Sequence, residues 1–258
     1  MKFDEAAKAL DGIPYTSPSK GWTFYDLVMQ RRPQRILELG FAHGVSTCYF
    51  AAAAQELPDC RITAVDIEPS RDFKPPIEEL TTRLGFSNLV EIYREKSSYT
   101  WFLKKEIARA TENGVCRPRY DFVFIDGPKD WTNDGCAFFL ADKLLRPGGT
   151  IMFDDCGWSY AEDERQRGKK HERGYIFEHL SEDERNEAQI KAVFELLVMQ
   201  HPNYDSFEIV DDQLAMARKS PNASTQRELL ISTRYSLKYR AMSRARALSN
   251  RLLRGSKK

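Results

Sequence analysis

The residues of this 258-residue chain that could do chemistry fall in a few short segments, each following a run of apolar residues. The first is Glu38-Leu-Gly40-Phe-Ala-His-Gly44-Val-Ser46. Glycines at that spacing suit a strand end where the backbone bends sharply and a ligand approaches main chain with no Cβ in the way. A helix beginning near Val45 would turn its free N–H groups toward a carboxylate or phosphate. The second is Asp66, 22 residues beyond Gly44, an acid placed to accept hydrogen bonds from both hydroxyls of a ribose. The spacing departs from G-x-G-x-x-G and lacks G-K-[ST], which disfavours dinucleotide and ATP phosphate loops. The third set is Asp126-Gly-Pro-Lys129-Asp130 with Asp154-Asp155. Carboxylates meeting at one sheet edge repel unless a cation neutralises them, and an all-oxygen set suits Mg²⁺ or Ca²⁺. Each segment also has a bland reading: a tight strand-to-helix turn for the glycines, solvated turn acids for Asp154-Asp155, and a surface ion pair of Lys129 with Asp130.

Positioning these groups requires strands that end together. Short β-branched and aromatic runs at 35–39, 62–65, 90–93, 122–125 and 150–153 alternate with helical patterns at 45–55, 77–84, 98–110 and 134–145, the signature of βαβ units. Right-handed crossovers then give a three-layer sandwich. Two further strands, 207–210 and 214–217, read as a closing hairpin around Asp-Asp-Gln. The expected fold is α/β, Rossmann-like and doubly wound, with a seven-stranded, mostly parallel sheet closed by an antiparallel hairpin strand. Between the fifth strand and the hairpin, the charged stretch 158–174 reads as a lid or mobile loop. A helix over 182–200 follows, opened by a capping box of Ser181 and Glu184 and stopped by Pro202. The chain divides into N-terminal cap helices over 1–33, a catalytic domain over 34–218 and a basic helical extension over 219–258.

The pattern E-x-G-x-x-x-G followed by a strand-end acid resembles the first two motifs of class I S-adenosylmethionine-dependent methyltransferases, over residues 17–155. The resemblance implies that Gly40, Gly44 and Ser46, with Glu38 behind them, hold the methionine portion of S-adenosylmethionine, that Asp66 holds the ribose and that Ser97 meets the adenine. Ser97 could equally be a helix N-cap. The later segments resemble the metal-dependent catechol and caffeoyl-CoA type O-methyltransferases, which carry D-x-x-K-D, then D-N, then an aromatic residue. Here these are DGPKD, Asp154-Asp155 and Trp158. By that resemblance Asp126, Asp154 and Asp155 ligate a divalent metal such as Mg²⁺, with Asp126 also beside the cofactor. Lys129 acts as base or orients the acceptor hydroxyl, and Trp158 flanks the substrate. Asp155 stands where that family has asparagine, and Gly127-Pro128 replaces bulkier residues. Bacterial methyltransferases acting on sugar hydroxyls carry D-G-x-H and D-D, so this chain sits between the two. The implied activity is methyl transfer to a hydroxyl of a small phenolic, sugar or natural-product acceptor. The alternatives are an RNA or protein methyltransferase and a non-catalytic binding module of the same fold.

Composition sets the outer bounds. With 41% hydrophobic and 30% charged residues, the chain reads as a globular protein rather than a disordered or fibrous one. No apolar run approaches the ~20 residues that span a bilayer, and the N-terminus lacks an export-type apolar stretch, so the expected address is cytoplasmic. Five cysteines without C-x-x-C spacing argue against a zinc site or a disulfide framework. They are expected to be reduced and mostly buried. The net charge of +1 hides a split. Residues 219–258 hold eleven Lys or Arg and one acid, Glu228, leaving 28 basic and 37 acidic side chains in the rest. Leu237, Ala241, Ala245, Leu248 and Leu252 form a helical stripe in that tail. It is read as docking on the acidic body or on a second subunit of a homodimer, in preference to nucleic acid or an anionic membrane. His43 is expected to be placed by the loop backbone, and His171, His179 and His201 to lie on the surface.

Overall fold

A computed structural model of the chain describes residues 3–168 and 180–223. Five parallel strands form one side of the sheet: β1 Arg35–Leu39, β2 Arg61–Ile67, β3 Val90–Glu95, β6 Tyr120–Ile125 and β7 Leu145–Phe153, with β3 at the edge. A small separate hairpin, β4 Thr111–Glu112 with β5 Val115–Cys116, precedes β6. After β7 come β8 Tyr204–Val210 and β9 Leu214–Lys219, and the order across the sheet is β3-β2-β1-β6-β7-β9-β8. β9 lies antiparallel to both β7 and β8. The fold is therefore the expected seven-stranded, mostly parallel, Rossmann-like sheet, with the returning strand of the hairpin inserted next to β7.

Because strand side chains alternate between faces, the apolar strands feed two cores. Ile36, Ile62, Ala64, Phe122, Phe124 and Met152 pack on one side. Leu37, Leu39, Val65, Val123, Ile125, Ile151 and Phe153 pack on the other. Helices α1 Phe3–Leu10, α2 Pro18–Arg31, α3 Val45–Ala54 and α4 Ile77–Arg83 supply the first core. Phe24 of α2 sits 5.1 Å, ring to ring, from both Phe50 and Phe124, so the N-terminal helices are part of the packed body. Helices α5 Tyr99–Ala110 and α6 Trp131–Leu144 cover the second face. Strands buried on both sides become continuous apolar runs rather than alternating ones, which is why β1 and β6 were visible in the sequence.

Register decides where the chemistry goes. Leu39 pairs with Val65 on one side and Ile125 on the other, and Ile125 pairs with Phe153. The next residues, Gly40, Asp66, Asp126 and Asp154, therefore emerge level at one sheet edge. Backbone hydrogen bonds stitch that edge: Gly40 N to Val65 O at 2.7 Å, Asp126 N to Leu39 O at 2.8 Å and Asp154 N to Ile125 O at 3.0 Å.

Several elements differ from expectation, each for a local reason. α6 begins at Trp131 rather than Asp134, because the Asp130 carboxylate caps it by accepting from Asn133 N at 2.6 Å. The first part of the presumed loop 158–174 is a helix, α7 Tyr160–Arg167. Its N-cap is Ser159, its end is Gly168 at φ +64°, and Arg167–Asp163 and Gln166–Glu162 pairs at i,i+4 support it. The single helix expected over 182–200 is broken. The capping box of Ser181 and Glu184 is present, but the helix it opens is only Glu182–Asn186, Glu187 is extended, and helix resumes at Gln189–Val193 before a π-helical stretch Phe194–Val198. Gln189 pins the break, accepting from Trp131 N at 2.7 Å and donating to Glu184 O at 2.8 Å. Residues 169–179, with His171 and His179, and the basic tail helix lie outside the described residues.

Candidate active site

The loop after β1 is shaped by backbone conformations that only glycine holds cheaply. Gly40 has φ +91° and Gly44 φ +88°. A Cβ on Gly40 would collide with the carbonyl oxygen of Asp126, and one on Gly44 with the Ile77 side chain. Gly44 is the N-cap of α3 and supplies no side-chain cap, so the first-turn N–H groups lack an intrahelical acceptor. Asp66 braces the loop from the neighbouring strand. One oxygen accepts from Phe41 N at 3.0 Å and Ala42 N at 2.7 Å, and the other from Ile67 N at 2.6 Å.

Glu38 lies beneath. Strand alternation sends its fully buried side chain toward α3, where Ser46 and Thr47 donate their hydroxyls to its two oxygens, both at 2.5 Å. Burial raises its pKa to about 8, against the lowering effect of those two hydroxyls. The Ser46 hydroxyl is thus engaged by Glu38, leaving its backbone N–H as the group it could offer to a ligand. Ser97 is exposed in the bend after β3, and the N-cap of α5 is its neighbour Ser98, which accepts from Thr100 N at 3.2 Å. His43 is buried in the loop, its Nδ1 2.9 Å from Pro75 O.

Next to the loop, Asp126, Asp154 and Asp155 converge, with one oxygen of each within 4.8 Å of the others. Lys129 pairs with Asp126 and lies 3.3 Å from Asp155 Oδ2. Lys20 of α2 is a partner the sequence did not suggest. Its Nζ lies 2.6 Å from Asp154 Oδ1 and 3.2 Å from Asp155 Oδ1. Burial, with Asp126 and Asp155 close by, raises the Asp154 pKa to about 7. Asp155 goes the other way, because the two ammonium groups outweigh its burial. The Lys129 pKa stands well above the usual lysine value, since Asp126, Asp155 and Asp154 overcome the opposing effect of burial. Lys129 is accordingly an ammonium in this arrangement.

The turn carrying Lys129 is held from below. Lys129 is in the left-handed region at φ +66°. Tyr160 donates its hydroxyl to the carbonyls of Pro128 at 2.9 Å and Lys129 at 3.3 Å. Tyr99 donates to Asp134, which also accepts from Asp130 N at 3.0 Å. A side chain at position 127 would run into that buried tyrosine–aspartate pair, which accounts for glycine where a bulkier residue was anticipated. Trp158 is half-buried beyond Asp155, edge-on to Tyr160 with ring centroids 4.5 Å apart.

Tyr99, Asp134, Tyr160 and Lys20 are the residues that sequence reasoning missed. For Lys20 a signal existed: it sits in the first turn of a Ser-Pro-initiated helix with no acid there, against the preference of a helix N-terminus for negative charge.

Comparison with known proteins agrees with this layout. Residues 37–156 match the family model described as a methyltransferase domain. Among solved structures, an O-methyltransferase from Bacillus cereus in complex with SAH aligns with TM-score 0.58 and 22% identity, covering 84% of this chain and 90% of that one. The O-methyltransferase TomG from Streptomyces achromogenes, involved in tomaymycin synthesis and solved with SAM, aligns with TM-score 0.54 and 20% identity, covering 84% and 89%. An SAH-bound methyltransferase from Podospora anserina aligns with TM-score 0.57 and 18% identity, covering 84% and 87%. No curated protein matches in a sequence search. Residues 37–156 thus match a methyltransferase domain, and strand order and glycine loop give the described residues the Rossmann-like methyltransferase fold.

Proposed function

We propose that the chain methylates a hydroxyl of a small molecule, with S-adenosylmethionine held at Gly40–Ser46 and Asp66 and a divalent cation held by Asp126, Asp154 and Asp155. The observation that carries this reading is the sharing of one sheet edge. Gly40 packs against the Asp126 carbonyl, so a donor on the glycine loop and an acceptor at the carboxylates would be neighbours. The residues fit a hard cation: the donors are all oxygen, and among the described residues the three carboxylates face two ammonium groups. The SAM- or SAH-bound neighbours support the cofactor assignment.

Methyl transfer is an in-line displacement in which the carbon–sulfur bond breaks as the carbon–oxygen bond forms, so alignment dominates the rate. Asp66 would accept the ribose hydroxyls while keeping the loop braced, and the first turn of α3 would face the carboxylate of the methionine portion with free N–H groups. A divalent cation in the acidic cluster would stabilise the oxyanion form of an acceptor hydroxyl. Lys129, paired with Asp126 at the cluster, would act as base or orient the acceptor hydroxyl by donating a hydrogen bond to it. Trp158 forms an apolar wall for the acceptor.

Among the described residues no helix is long and apolar enough to cross a membrane, and all five cysteines are free thiols, three of them buried. A cytoplasmic enzyme is part of the same reading.

The test is transfer of a labelled methyl group from S-adenosylmethionine to a panel of catechols, phenolic acids and sugars. Asp154→Ala should abolish transfer while cofactor binding survives. Full activity in excess chelator would remove the cation from the account, and no labelled product from any hydroxyl acceptor would remove O-methylation.

A further inference from the structure

We propose that Lys20 is an internal counter-cation for the acidic cluster, which leaves the cluster when a divalent cation binds there and so couples metal binding to the first turn of α2. The proposal rests on the metal part of the reading above. Two lysines touch the cluster, and they are built differently. Lys129 belongs to the acidic turn itself, three residues from Asp126, in a backbone that Tyr160 holds by two carbonyls. Lys20 reaches across from a separate helix, 135 positions away in the chain from Asp155. Its side chain keeps 17% exposure against 12% for Lys129, and a flexible four-carbon stem can return it to water.

Charge and contact both make the two cations alternatives. With all three carboxylates ionised and both lysines present, the cluster carries one net negative charge. A divalent cation beside both would leave one net positive charge in a partly desolvated site, whereas the cation with Lys129 alone gives neutrality. Lys20 is bound to two of the three carboxylates that would hold a metal, with Asp154 Oδ1 2.6 Å and Asp155 Oδ1 3.2 Å away. Carboxylate–magnesium contacts are about 2.1 Å, so both cations on one carboxylate would repel at close range. Position within α2 points the same way. Lys20 lies in the first turn, its N–H donating to the capping Ser17 hydroxyl at 3.3 Å. A cation is disfavoured there by the helix dipole, and the aspartates are what compensate it.

The experiment titrates Mn²⁺ alone, without cofactor, into the full-length wild type, Lys20→Met and Lys20→Arg by calorimetry. Lys20→Met should bind at least about tenfold more tightly than wild type, with Lys20→Arg close to wild type. Equal or weaker binding by Lys20→Met overturns the proposal. Should Lys20→Met fail to fold in a thermal scan, the wild type decides. With its lysines ¹³C-methylated and the Lys20 resonance identified by its loss in Lys20→Arg, Mg²⁺ should move that resonance toward the position of a solvated lysine. A resonance unmoved at saturating Mg²⁺ overturns the proposal. If neither protein binds metal, the proposal and the metal site fail together, while a parallel titration with SAH shows whether the methyltransferase reading stands.

Discussion

Around the loop that follows β1, Asp66 takes up three backbone N–H groups and Glu38 two hydroxyls, so the turn is braced by its own neighbours. A few ångströms along the sheet edge, three carboxylates share two ammonium groups among the described residues. The first region is held by main-chain geometry and the second by electrostatics. Changes in shape should therefore damage the loop, and changes in charge should register at the cluster.

The sharpest way to break the distinction is Gly40→Ala. The added methyl must adopt φ +91° and meets the Asp126 carbonyl, so the cost combines backbone strain and overpacking, about 3 kcal/mol or more. Denaturant unfolding checks this, and a loss under about 1 kcal/mol would mean that the loop can reshape. At the cluster, Lys129→Met should lower kcat on the order of 100-fold, the usual effect of deleting one preorganised donor. The KM for S-adenosylmethionine should stay put, and unchanged kcat would take Lys129 out of the chemistry.

A third variant, Glu38→Gln, separates charge from shape inside the loop. The folded-state pKa of Glu38 is raised to about 8, so the folded protein holds a proton that the unfolded chain loses near pH 4.5. Its stabilising contribution is complete below that value and is lost as pH rises toward 8. The Tm of Glu38→Gln minus that of wild type should increase between pH 5 and 8, and parallel curves would contradict a buried, protonatable carboxyl. The smallest effect is expected at the start of α5. Ser98→Ala should cost about 1 kcal/mol as a lost N-cap, while the exposed Ser97→Ala changes stability by less than about 0.5 kcal/mol.

How far the sequence could be read follows the same division. β1 and β6 were legible because burial on both faces leaves apolar runs, β2, β3 and β7 because short β-branched or aromatic runs alternate with helical patterns, and Gly40, Asp66, Asp126 and Asp154 because each directly follows or ends such a run. Features that depend on partners remote in sequence were not. The break at Glu187 exists because Gln189 bonds Trp131 N, a residue of another helix. The first-turn position of Lys20 marks it as unusual, but its partner Asp154 lies far away in the chain and only the fold brings the two together. The helix α7 was hidden by its charge, since its stability comes from Ser159, Gly168 and i,i+4 pairs instead of an apolar stripe.

The most direct measurement is a calorimetric titration of SAH into wild type, Asp66→Ala and Asp154→Ala. Wild type and Asp154→Ala should bind one equivalent with similar affinity. Asp66→Ala should bind at least about tenfold more weakly, since hydrogen bonds to a charged group contribute roughly 1.5–3 kcal/mol. No binding to wild type, or equal binding to Asp66→Ala, would contradict a nucleoside held between the ends of β1 and β2.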